Sequence, residues 1–169
     1  MYPWVTHIKS YLGGECPHQC KYCYVQRNPY GVSPRYKGKP RLIMEELKEN
    51  LGANKIIFIE HMNDLWAREI NSEWIDLVLR HCRAYPGNQY VFQTKNPLSA
   101  FFWRATLPGK PLVGTTIETN RLIPQISNAP APPTRIYGIA ELKRVGFEIF
   151  VTIEPIIDFD LEILFAWMN

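Results

Sequence analysis

The chain contains the stretch Cys16-Pro17-His18-Gln19-Cys20-Lys21-Tyr22-Cys23, in which three cysteines have the spacing C-x3-C-x2-C. Gly13, Gly14 and Pro17 break regular structure here, so the stretch is predicted to be a loop after the first strand. A loop has no helix or strand period that points neighbouring side chains apart. The three thiolates can therefore converge on one metal centre.

Two kinds of metal centre suit three clustered thiols. A structural zinc ion takes four protein ligands and would need a further donor such as His18 or His7. An iron-sulfur cluster held by three cysteines keeps one iron open to a small molecule, whereas one held by four mainly carries electrons. The remaining cysteine, Cys82, lies in phase with the apolar stripe of a predicted helix over 71–84. This phase predicts a buried core thiol rather than a fourth ligand.

Composition limits the class of protein. With 169 residues and 46% hydrophobic side chains, the chain suits one domain, 1–169, with a sizeable core. Its net charge of +3 is too small to indicate a nucleic-acid partner by itself. No apolar run reaches the length of a membrane span, and the first residues lack a signal-peptide pattern. We therefore expect a cytoplasmic protein without a membrane partner, whose clustered thiols fit a reducing compartment better than a disulfide framework.

Apolar strands and amphipathic helices alternate along the chain. The predicted strands are 5–9, 55–60, 89–94, 111–117 and 147–153. The predicted helices are 43–51 with Gly52 as C-cap, 71–84, 98–105, 134–145 with Thr134 as N-cap, and 161–168. Strict alternation favours right-handed crossovers and a parallel sheet. We predict an α/β fold, a partial (β/α) barrel of about five to six parallel strands, with a doubly wound open sheet as the alternative.

Polar side chains follow every predicted strand. Ligands of parallel α/β folds meet the carboxyl ends of the strands, because the loops gather there. Glu118 and Glu154 each follow an apolar strand directly, where an unpaired carboxylate is costly, so both are expected to contact a ligand. Asn and Thr at such places also serve as helix caps and turn residues. The strand ends contribute Asn63, Asp64, Thr94, Lys95, Glu118 and Glu154.

The cysteine stretch resembles the signature of the radical S-adenosylmethionine superfamily, C-x3-C-x-aromatic-C, with Tyr22 in the aromatic place. The resemblance implies that Cys16, Cys20 and Cys23 hold a 4Fe-4S cluster whose open iron takes the amino and carboxylate groups of S-adenosyl-L-methionine. It further implies that an external donor such as a flavodoxin or ferredoxin reduces the cluster. One electron then cleaves the sulfonium, giving methionine and a 5′-deoxyadenosyl radical that abstracts hydrogen from a substrate.

The same resemblance implies places for the cofactor. Tyr22 would lie near the adenine, and the second strand end would hold the amino group, although Met62-Asn63-Asp64 stands there instead of the usual Gly-Gly-Glu. Glu118 matches the position that contacts the ribose. Thr94 and Lys95 are expected to face the methionine carboxylate, and Glu154 is a further expected contact.

The strand-end phrases Gln93-Thr94-Lys95-Asn96-Pro97 and Ile153-Glu154-Pro155 resemble a poorly characterised branch that includes phage-encoded proteins. Similarity to spore photoproduct lyase, a DNA repair enzyme, is more distant. The family's core resembles a six-strand open barrel, whereas only five strands are predicted here. We therefore expect a domain that is minimal or truncated at its C-terminal end, or a partner or second copy that covers the open sheet edge.

Two other functions remain open from the residues. One is a zinc-stabilised nucleic-acid-binding module that uses the basic, turn-rich segment 26–41 with Tyr30 and Tyr36. The other is an iron-sulfur electron carrier with Cys82 as the fourth ligand. A nucleic-acid substrate is compatible with the enzyme hypothesis as well, because the resemblance does not specify the substrate.

Overall fold

The computed structural model describes residues 2–123 and 125–168. Its strands are β1 (His7–Lys9), β2 (Leu12–Gly13), β3 (Arg41–Leu42), β4 (Ile56–Ile59), β5 (Gln89–Gln93), β6 (Leu112–Thr116) and β7 (Glu148–Thr152). Five of them form a parallel sheet in the order β1-β4-β5-β6-β7, and β2 pairs with β3 in a small antiparallel sheet. A doubly wound sheet reverses its strand order part-way. The uninterrupted order confirms the predicted α/β fold with the sheet of a partial barrel.

Helices connect the parallel strands. They are α1 (Ser72–Arg83), α2 (Pro97–Phe102), α3 (Pro132–Arg144) and α4 (Leu161–Met168), with short 3-10 helices at Pro34–Tyr36, Met44–Lys48 and Arg104–Thr106. α1 begins where the sequence predicts, because the side chain of Asn71 accepts a hydrogen bond from the N–H of Glu73 at 2.8 Å. None of the helices described here is long and apolar enough to cross a membrane.

Two local predictions are wrong. The predicted helix 43–51 is only the 3-10 helix Met44–Lys48, and the chain becomes extended at Glu49. Apolar residues at a four-residue spacing over so short a segment do not stabilise an α-helix without tertiary support. The second error is Thr134 as a helix cap: α3 begins at Pro132 after Ala131, without a side-chain cap. A proline in the first turn needs none for its missing N–H.

Alternate residues of the strands face two different layers. Ile57, Ile59 and Phe92 belong to a large core cluster that also contains α1 and α3 side chains. On the opposite face, Phe58 and Val91 form a smaller cluster with Val5. The helices α1 and α3 therefore pack against one face of the sheet.

β1 and β7 are the two outer strands of the sheet. Coverage of an edge by a partner or second copy stays a prediction, as does the interpretation of 1–169 as one minimal or truncated domain.

Candidate active site

A cavity of about 750 Å³ lies at the carboxyl ends of the parallel strands. Three cysteines of one loop border it together with side chains from the ends of β4 and β5 and from the segment after β7. The sequence-predicted residues in its wall are Cys16, Cys20, Tyr22, Cys23, Asn63, Asp64, Thr94, Lys95 and Glu154. Of the predicted site residues, only Glu118 lies outside this wall.

The loop that carries the cysteines, residues 14–23, is held by its own backbone and by the segment after β6. Within it, the N–H of Cys23 donates to the carbonyl of Cys20 at 3.0 Å. The N–H of Lys21 donates to Ile126 at 2.9 Å, and the N–H of Asn128 donates to His18 at 2.7 Å. The segment 125–131 therefore also holds the loop, a contact that the sequence did not indicate.

Glycine is required at the beginning of this loop. Gly14 has φ +83, and a Cβ built there would lie 2.1 Å from the carbonyl oxygen of Lys39. Its N–H donates to the carbonyl of Arg35 at 2.8 Å. The loop therefore sits directly on the basic segment 26–41. Arg35 in turn pairs with Glu46 at 2.6 Å, so this cation serves the fold.

The environment of the thiols depends on burial and nearby charge. Burial and the neighbouring carboxylate of Asp64 raise the pKa of Cys16 to about 12. Burial also raises the pKa of Cys20, against the opposing charge of Lys95. A metal centre would have to replace the thiol protons, as metals do when thiolates bind them.

The chemistry of the three thiols suits the ligands of an iron-sulfur cluster. Three thiols border one cavity, and thiolates are the ligands that iron-sulfur clusters prefer. Within residues 2–123 and 125–168, no three His, Cys, Asp or Glu side chains are grouped closely enough to hold a single metal ion.

Cys82 lies in the core rather than in the cavity wall. It is fully buried on α1, with its sulfur 4.0 Å from the hydroxyl of Tyr11. Burial raises the pKa of this thiol to about 12. The structure thus places Cys82 as the apolar stripe of 71–84 predicts.

Asp64 connects three segments of the site. Its carboxylate accepts hydrogen bonds from Nε2 of His18 at 2.8 Å and from the hydroxyl of Thr94 at 2.7 Å. The N–H of Lys95 donates to it at 2.8 Å. Burial alone would raise the pKa of Asp64, but the charge and hydrogen bond of His18, with the other donors, hold it below its ordinary value. Contact between Asp64 and a cofactor amino group stays a prediction.

Two more side chains connect the end of β4 to the loop. The amide of Asn63 donates to the carbonyl of Gly14 at 3.2 Å. Glu60 accepts from the N–H groups of Tyr11 at 2.5 Å and Leu12 at 3.1 Å. Glu60 stands among the polar residues at this predicted strand end but was not predicted as a site residue, although it follows an apolar strand as directly as Glu118 does. That position is the signal that could have found it.

Glu118 forms a buried ion pair outside the cavity wall. Two nitrogens of Arg135 on α3 donate to its carboxylate at 2.5 and 3.1 Å, and both side chains are almost fully buried. Burial alone would raise the pKa of Glu118, but the Arg135 guanidinium holds it below its ordinary value. Direct contact with a ribose stays a prediction, and the observed contacts instead give Glu118 a structural partner.

Three predicted residues present groups toward the cavity. The ammonium of Lys95 lies 5.5 Å from the ring centre of Tyr22 and so places a positive charge beside the loop. Among the described residues, the buried hydroxyl of Tyr22 has no hydrogen-bond partner. Glu154 is exposed on the cavity wall. A cation, an aromatic ring and a carboxylate thus border the same cavity.

Comparison with known proteins identifies the fold. No family model matches the chain, and no curated protein matches it in sequence. Solved structures of spore photoproduct lyase do match it. A mutant of that enzyme superposes with a TM-score of 0.67 at 15% identity, over 92% of this chain and 47% of the other. A second mutant, with bound AdoMet and dinucleoside spore photoproduct, gives a TM-score of 0.65 at 15% identity over the same shares.

The chain therefore has the fold of spore photoproduct lyase, a radical S-adenosylmethionine enzyme. It spans less than half the length of those structures. This likeness concerns the fold, and membership of the radical S-adenosylmethionine superfamily stays a prediction. The phage-associated branch stays a prediction.

Proposed function

We propose that this chain is a radical S-adenosylmethionine enzyme in which Cys16, Cys20 and Cys23 hold a 4Fe-4S cluster and the adjoining cavity binds S-adenosyl-L-methionine. One observation carries the proposal: three thiols of a C-x3-C-x2-C loop and the predicted strand-end residues other than Glu118 border the same cavity. The shared fold with spore photoproduct lyase supports it. When bound and reduced, such a cluster supplies the electron that splits the cofactor into methionine and a 5′-deoxyadenosyl radical, which takes hydrogen from a substrate.

The protein's own residues bind and orient the cofactor. Lys95 offers its positive charge to the methionine carboxylate, and the exposed carboxylate of Glu154 suits an ammonium group. Tyr22 offers a ring face for the adenine. Asp64 holds the cysteine loop against β4 and β5, so it acts on the cofactor through the loop. An external electron donor such as a flavodoxin or ferredoxin is required.

Anaerobic reconstitution tests this function. We expect about four iron per chain and a spin signal of the reduced cluster that changes when S-adenosyl-L-methionine is added. Replacing Cys16, Cys20 or Cys23 by Ala should abolish iron binding. Cys82→Ala is the matched control and should keep the iron. Bound zinc without a spectral change would support the binding module, and loss of the cluster in Cys82→Ala would support the electron carrier.

A nucleic acid is our candidate substrate class. Tyr24 borders the cavity with 58% of its surface exposed, Tyr30 is 96% exposed, and Lys37 and Lys39 are exposed as well. Aromatic rings and cations together suit unpaired bases and phosphates. Binding of a fluorescent single-stranded oligonucleotide should weaken with salt and weaken further in the double variant Lys37→Ala/Lys39→Ala. Lys110→Ala is the control. Equal affinity in all three proteins would exclude this surface.

A further inference from the structure

Glu60 lies where β4 ends, and its contacts reach the chain that leads into the cysteine loop. Oε1 accepts hydrogen bonds from the N–H groups of Tyr11 at 2.5 Å and Leu12 at 3.1 Å. Tyr11 lies two residues after the end of β1, Leu12 begins β2, and both precede Gly14. We propose that Glu60 is a positioning residue that fixes where the cysteine loop leaves the sheet, and thereby where the three thiols stand beside the cavity.

A second contact from the same strand end supports this role. The amide of Asn63 donates to the carbonyl of Gly14 at 3.2 Å. Residues 11–14 are thus held by Glu60 at one end and by Asn63 at the other. Cys16 lies only two residues after Gly14. A shift of residues 11–14 should therefore also move the first thiol.

The conformation of Glu60 is costly, and the hydrogen bonds compensate. Its φ of +62 lies in the left-handed region, which is strained for a residue other than glycine. The side chain is 3% exposed, and Oε2 has no hydrogen-bond partner among the described residues. Burial raises the pKa of this carboxyl to about 8, although the two N–H groups oppose the shift. Glycine at this position would avoid the backbone strain, and leucine would avoid the cost of burying a carboxyl. Neither side chain offers an oxygen that accepts the two hydrogen bonds, which explains why glutamate stands here.

Four substitutions separate the acceptor from the backbone. Glu60→Gln keeps an oxygen that can accept from both N–H groups. Glu60→Asp is a mild change whose shorter side chain cannot reach them both. Glu60→Ala removes the acceptor and keeps the strain, whereas Glu60→Gly removes both. Glu45→Ala is the matched control, because Glu45 is exposed and pairs only with Lys48 in the described structure.

Hydrogen exchange of the full chain, as isolated under reducing conditions, tests the proposal. In peptides that contain Tyr11 and Leu12, exchange should be about tenfold faster or more in the Asp, Ala and Gly variants. Glu60→Gln should stay within about threefold of wild type, as the control does. The alkylation rates of the three loop cysteines should change in the Asp, Ala and Gly variants and stay close to the wild-type rates in Glu60→Gln. Retained protection in Glu60→Gly, or equal loss in Glu60→Gln and Glu60→Asp, would overturn the proposal.

Iron content after reconstitution gives a second readout, and this one rests on the proposed function. Glu60→Gln should bind as much iron as wild type, whereas Glu60→Asp and Glu60→Ala should bind less although all three cysteines remain. If wild-type protein bound no iron, the proposed function would fail, and the exchange comparison would still decide the role of Glu60.

Discussion

Asp64 and His18 form a hydrogen bond of 2.8 Å that joins the end of β4 to the middle of the cysteine loop. The same carboxylate accepts from Thr94 and from the N–H of Lys95 at the end of β5. The buried Asp64 side chain therefore connects the cysteine loop to the ends of two strands. The order β1-β4-β5 makes this possible, because it places the three segments next to one another.

Asp64→Asn should destabilise the fold. The substitution removes the charge that His18 faces and turns an NH₂ group toward a donor, leaving a buried N–H unpaired. We expect a loss of about 2–4 kcal/mol in the free energy of unfolding, measured with urea. Asp76→Asn on α1 is the control and should change little, because Asp76 pairs with the exposed Arg80. Similar losses in both variants would contradict the connecting role of Asp64.

The pair of Glu118 and Arg135 should show strong coupling. Arg135→Met leaves a buried carboxylate without its partner and should cost about 3–5 kcal/mol. Adding Glu118→Gln should recover part of this loss, since the remaining side chain is neutral. A double-mutant cycle measures the coupling, with the exposed pair Glu141 and Arg144 as the comparison. Additive effects at Glu118 and Arg135 would show that the ion pair does not hold α3 to the end of β6.

The sequence predicts which residues gather at the strand ends, but not which of them face the cavity. The alternation of strands and helices predicts a parallel sheet, and a parallel sheet brings the carboxyl ends of its strands to one edge. The residues that follow the strands are therefore expected to lie close together. The side-chain partner depends on distant residues. Arg135 lies 17 positions after Glu118, on a helix whose rotation no local pattern specifies, and so Glu118 looks from the sequence like a ligand residue.

Contacts made by backbone carbonyls are also invisible in the sequence. The segment 125–131 holds the cysteine loop through the carbonyl of Ile126 and the N–H of Asn128. Every residue except proline offers the same two groups, so residue type does not reveal the contact. The 3-10 helix Met44–Lys48 escaped prediction because apolar residues four positions apart favour an α-helix, whereas the chain forms a short helix with three residues per turn.

Gly14→Ala should move the cysteine loop. The new methyl group would collide with the carbonyl of Lys39, in addition to the cost of a left-handed backbone. Gly109→Ala is the matched control, because φ there is +59 and no atom lies within 4 Å of the new Cβ. We expect Gly109→Ala to cost about 1 kcal/mol and Gly14→Ala at least about 3 kcal/mol, measured by thermal unfolding. Equal costs would mean that the loop does not depend on this contact.

Glu60 should make the fold less stable as the pH rises toward 8. Burial raises the pKa of this carboxyl to about 8 in the folded chain, from an ordinary value of 4.5. Between these values the folded protein holds a proton that the unfolded chain has lost, so stability falls by at most about 1.4 kcal/mol per pH unit. Glu60→Gln cannot ionise and should lose this dependence. The measurement is the difference in unfolding free energy between Glu60→Gln and wild type at about pH 5.5, 7 and 8.5. As the pH rises, the variant should become more stable relative to wild type. His61 and His81, whose pKa values burial lowers, affect both proteins alike. A difference that stays constant over this range would show that Glu60 is already ionised in the folded protein at the lowest pH.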